Sequence, residues 1–138
     1  MNRANPYNVM RQYGESGDIA EVLYASPHRL IQMLLDNALD RLAVAKGHML
    51  RGEVADKGSR IRGALMLIGG LRSSLNKEAG GDIARNLDLL YDYMERRLLL
   101  ANAKNDSEAL SEVASLLTEI KTAWDAIPEN VKLSYGTR

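Results

Sequence analysis

With 138 residues, 46% apolar and 26% charged, the chain is long enough for one domain around a single core and too apolar for global disorder. Eighteen Lys and Arg balance eighteen Asp and Glu, which removes the electrostatic footprint that nucleic-acid binding requires. The lack of cysteine excludes disulfides and thiolate metal sites and fits a reducing compartment.

Residues 1–20 are polar and lack the apolar stretch of a secretory signal. No later run of about 18 apolar residues could span a bilayer. The expectation is a soluble, cytoplasmic protein with no membrane insertion. Residues 1–25 read as a mobile, partly helical arm: Asn5-Pro6-Tyr7 is turn-like, and Gly14 and Gly17 interrupt any helix. Apolar residues such as Val9, Met10, Tyr13, Val22 and Tyr24 could dock this arm onto a body.

Ser26-Pro27 is a strong helix start, a hydroxyl cap followed by proline at the first helical position. Apolar residues from Leu30 through Leu34, Ala38, Leu42 and Ala45 to Met49 then recur at three and four, which predicts a helix over 26–51. A second helix over 53–79 carries Val54, Ile61, Leu65, Ile68, Leu71 and Leu75 and stops before Gly80-Gly81. Its inner glycines, Gly69 and Gly70, each cost about 1 kcal/mol relative to alanine, so something should pack closely against them. The third helix, 82–103, has Ile83, Leu87, Leu90, Tyr91, Met94, Leu98 and Ala101 on one stripe. Asp106 caps the fourth, 106–127, where Leu110, Val113, Leu117, Ile120 and Trp124 repeat until Pro128, and 128–138 read as a flexible tail. Short connections force each helix back along its neighbour, so the predicted fold is an all-α, antiparallel up-down four-helix bundle over 26–127. Basic residues gather on the second helix and acidic ones on the fourth, which predicts attraction between those two across the bundle surface.

Bundles of this kind can house two metals through inward Glu-x-x-His pairs, and the chain has none. His28 and His48 have no acid three or four residues away and suit helix-end roles. Asp36 with Asp40, and Asp88 with Asp92, sit one turn apart as a cation site would require; solvated faces explain them better, Asp92 pairing with Arg96. No nucleophile–base pattern and no phosphate loop is present, so no catalytic residue, metal ligand or cofactor is expected, and the protein is not read as an enzyme.

Surplus apolar residues remain. On the third helix Leu89, Tyr93 and Leu100 fall off the main stripe, and on the second Met66 and Leu67 flank the glycine pair. They serve either a wide core stripe or a groove for a partner helix, with the arm as its lid. Tyr91 lies on the main stripe and reads as structural, whereas Tyr93 points away from it and suits contact.

The sequence resembles the FliS family of flagellin chaperones over nearly all of 5–127. Asn5-Pro6-Tyr7, Ala25-Ser26-Pro27-His28-Arg29-Leu30 and Gly80-Gly81-Asp82-Ile83-Ala84-x-Asn86-Leu87 carry the resemblance, followed by Leu90-Tyr91-Asp92-Tyr93-Met94-x-Arg96-Arg97-Leu98. Ala101-Asn102, Glu112-Val113 and Trp124 complete it, while Leu35 and Asn37 depart from the aromatic residue and glycine often found in relatives. The resemblance implies a helical bundle that binds the disordered C-terminal region of flagellin in the cytoplasm and blocks premature polymerisation. It also implies delivery of the client to the type III flagellar export gate, without catalysis or cofactor. Tyr7, Met10 and Tyr13 then match the family's lid segment, and Met66, Leu89, Tyr93 and Leu100 become the client-contact candidates. The alternative is a homo-oligomeric helical scaffold, in its simplest form a homodimer, whose extra stripes bury against a second copy.

Overall fold

A computed structural model describes residues 5–14 and 19–127. The predicted tail at 128–138, Pro128 included, and the arm residues 1–4 and 15–18 lie outside the described residues. Every element among the described residues is a helix: α1 Pro6–Tyr13, α2 Ile19–Leu23, α3 Pro27–Leu50, α4 Val54–Ser73, α5 Lys77–Lys104 and α6 Ser107–Ala126. Local chemistry accounts for the starts. The Asn5 side chain accepts from the Tyr7 and Asn8 amides with Pro6 opening α1, Ser26 accepts from the Arg29 amide ahead of Pro27, and Asp106 accepts from Glu108 and Ala109.

The reversal after α4 comes earlier than the spacing predicts. Ser74 Oγ donates to the Leu71 carbonyl at 2.6 Å, and Asn76 accepts from the Ala79 amide, so a new helix begins at Lys77. Gly80-Gly81 therefore lies past the end of α4 and interrupts the helix that follows. Gly81, at φ 55 and ψ −131, is a kink inside α5, a conformation that suits glycine. Ile83 belongs to the predicted stripe but is 58% exposed, because α4 has already ended where its partner would stand.

Long α3 packs on α4 and α6, and α5 packs on the same two. The bonds give direction. Trp124 Nε1 donates to the His28 carbonyl at 3.2 Å and Lys46 Nζ to Ser111 Oγ at 2.9 Å, so α6 returns along α3. Lys57 Nζ, buried at the start of α4, donates to the Asn102 carbonyl and to Asn105 Oδ1 at the end of α5. That places a cation on carbonyls at the negative end of a helix. Fully buried Leu34, Leu42, Ile61, Leu67, Met94 and Leu110 form the shared core.

The predicted attraction between the second and fourth helices takes a different course. Arg72 of α4 reaches Asp88 at 2.9 Å, Asp92 at 3.4 Å and Glu95 at 2.6 Å, all on α5. Adjacency decides this, since α5 lies directly against α4. Asp92 also takes the predicted Arg96 partner at 3.0 Å.

Candidate functional site

The arm's first helix lies in a groove built by α3 and α4. Along α1 the apolar residues Val9 and Met10 face inward, 3% and 1% exposed. Opposite them α4 offers Gly70: a Cβ there would stand 3.3 Å from Val9 Cβ and 3.4 Å from Leu34 Cδ2. Even a methyl group there would press on Val9 and Leu34, which would have to give by a few tenths of an ångström. The close approach that the inner glycines imply is thus made in part by the chain's own arm.

Three polar contacts fix α1 lengthwise. At its start the Tyr7 hydroxyl donates to the Ala25 carbonyl at 3.0 Å. In the middle Asn37 Nδ2 donates to the Met33 carbonyl at 2.8 Å and approaches Met10 Sδ at 3.8 Å. At its end Arg41 donates twice to the Tyr13 carbonyl, from Nε at 2.9 Å and Nη2 at 2.7 Å. That guanidinium lies across Gly63 of α4, where a Cβ would collide with it. Since Asn37 and Arg41 meet Met10 and Tyr13 in the same order, α1 runs alongside α3 in parallel and opposite to α4. Past Tyr13 the groove opens into a cleft of about 460 Å³ lined by Arg41, Ser59, Arg62, Leu65 and Met66.

The outer face of α5 is built differently. Leu89 is 67% exposed and Leu99 59%, with no described side chain covering them. Between them Tyr93 donates to Glu112 Oε2 of α6 at 2.6 Å, and Arg97 Nε donates to the other oxygen at 2.7 Å. The bond to Glu112 raises the Tyr93 phenol above its ordinary value, and Glu112 is held low, first by Tyr93 and then by Arg97. Arg96 stands over the Tyr93 ring, 5.8 Å from its centroid. Tyr91, two residues earlier, is buried in the core, and burial pushes its phenol well up.

The seven residues singled out from sequence thus fall into two groups. Tyr7, Met10, Tyr13 and Met66 belong to the groove, with Tyr13 and Met66 lining the same cleft. Leu89, Tyr93 and the half-buried Leu100 belong to α5, and the structure does not join them to the first group. Sequence reasoning missed Arg41 and Gly63 and met Asn37 only as a departure. The seven-residue interval from Gly63 to Gly70, which keeps both on one face of α4, is the signal that could have found the groove.

Among the described residues neither histidine belongs to a group of three potential metal ligands. His48 Nδ1 lies 2.8 Å from Glu53 at the α3–α4 turn, and His28 stacks on Trp124 with ring centroids 5.8 Å apart. Among the described residues no group of three acids or histidines is placed to hold a metal ion, and no helix is long and apolar enough to cross a membrane.

The family described as flagellar protein FliS matches residues 9–131. The chain belongs to the FliS family. Among its relatives, the flagellar secretion chaperone FliSB of Pseudomonas aeruginosa is 49% identical over 119 residues, 86% of this chain and 94% of that protein. The FliS of Salmonella typhimurium is 44% identical over 119 residues, 86% and 88% of the two chains. That of Bacillus subtilis is 30% identical over 134 residues, 96% and 94%. All three carry the description flagellar secretion chaperone, a non-enzymatic class. Within the motif that carries the FliS resemblance, Tyr91, Met94 and Leu98 build the core, while Tyr93 and Arg97 meet Glu112 on the surface.

Proposed function

We propose that the protein is a cytoplasmic flagellar secretion chaperone of the holdase type, binding the disordered C-terminal region of flagellin and preventing its premature polymerisation. The observation that carries this reading is α1 itself: an amphipathic helix occupies an apolar groove whose floor is cut to glycine at Gly70. A groove that accepts one amphipathic helix can accept another. In this scheme residues 1–25 are the lid, residues 26–127 an up-down four-helix body, and Tyr7, Met10 and Tyr13 give way to client side chains. Met66 lines the open end of the groove, and Leu89, Tyr93 and Leu100 offer a second apolar strip to a client that wraps around the body.

Coupled folding sets the scale of surface needed. Ordering a disordered segment typically consumes about 2–5 kcal/mol of the gross interaction, so a client must cover more than the eight-residue seat of α1. Covering its apolar side chains also hides the surface that would drive filament growth. The loaded complex would then be delivered to the export gate.

Titration calorimetry with a peptide covering the C-terminal region of flagellin from the same organism tests this. Saturable one-to-one binding with a large negative heat-capacity change is the expected result. Absence of binding by folded protein would overturn it. A stable dimer in light scattering that survives the peptide would favour the homo-oligomeric scaffold instead.

A further inference from the structure

We infer that Arg41 reads the end of whichever helix fills the α3–α4 groove, so that a client segment seats in the same direction as α1. Its last-turn carbonyls would lie on the guanidinium and a compact side chain against Gly70. This rests on the client reading above and specifies the partner's polarity.

The last four carbonyls of a helix have no partner within the helix and carry its negative end. Arg41 meets that end of α1 with two donors on one carbonyl, at 2.9 and 2.7 Å. A planar guanidinium, permanently charged, is suited to this capture in a way a lysine is not. Its position is built in from the far side: Gly63 leaves the space in which the guanidinium lies across α4. The same groove turned round would bring helix N–H groups, the positive end, against the fixed cation. Shape adds a second element. Val9 meets Gly70 four residues before the carbonyl that Arg41 takes, so one side chain's bulk and one helix end are sensed a turn apart. At that end Tyr13 shares a cleft with Arg62 and Met66 on its walls.

The test uses the full chain carrying Val9→Glu and Met10→Glu, which expel α1 and leave α3 and α4 untouched. Into this background Arg41→Met and Arg41→Lys are introduced, and each protein is titrated with an amidated flagellin C-terminal peptide, so that only main-chain carbonyls are on offer. The expected result is a loss of affinity of about tenfold for Arg41→Met and a smaller loss for Arg41→Lys. Equal affinities across the three would overturn the inference while leaving the client reading intact; no binding to any protein, wild type included, would end both. Independently, a nitroxide at the C-terminal end of the bound peptide segment should broaden resonances of 59–66 in the wild-type chain. Broadening of 70–75 instead would show the reverse direction and sink the proposal.

Discussion

The α3–α4 groove and the outer face of α5 are both apolar surfaces flanked by arginines, yet they are held in different ways. In the groove, shape governs: Gly70 admits Val9, Gly63 admits Arg41, and a helix too short to persist alone in water is kept in place by what it touches. On α5, charge governs. Arg72 bridges to Asp88, Asp92 and Glu95, and Arg97 and Tyr93 close on Glu112, while Leu89 and Leu99 stay in solvent. The first region holds one short helix by fit and the second holds two long helices by charge.

The largest effect expected on this contrast is from Leu34→Ala. Leu34 is fully buried and also touches the Gly70 position, so its truncation should cost about 2–5 kcal/mol in urea unfolding and loosen α1 as well. Gly70→Leu should cost less, about 1–3 kcal/mol, and act selectively, removing amide-exchange protection from 7–13 while α5 keeps its own. Equal loss of protection in both regions would break the distinction drawn here.

Acid should strike the other region. Arg72, and after it Lys77, hold the Asp88 carboxyl below the ordinary carboxylate range. A carboxylate with a depressed folded pKa contributes stability that is present above its unfolded value and lost as pH falls through the folded one. Below about pH 4, therefore, the α4–α5 seam should weaken, and Arg72→Gln should flatten that part of the pH profile. The smallest effect belongs to Tyr93→Phe, which removes one surface hydrogen bond to Glu112 and should leave the urea midpoint nearly unchanged, with no change at α1.

Much of the scaffold was legible in the sequence. Ser26-Pro27 and Asp106 announce their helices because capping is local chemistry, and the glycine pair of the second helix announced close packing that Gly70 makes with Val9 and Leu34. The reversal at 74–76 was hidden because leucine spacing carries through it, and only the Ser74 and Asn76 side chains mark the turn. Arg41 was hidden for another reason: an arginine on the polar edge of an amphipathic helix looks solvated, and its target, a main-chain carbonyl of the arm, has no signature in sequence. Amphipathicity likewise cannot separate a groove filled by the chain itself from one left for a partner.

Hydrogen exchange on the wild-type chain, with and without a saturating flagellin C-terminal peptide, tests the shared groove most directly. Amides of 7–13 are expected to lose protection on binding while those of 35–42 and 63–71 keep or gain it. Saturated binding with α1 still protected would contradict it, placing the client elsewhere on the body and leaving the arm no part in controlling access.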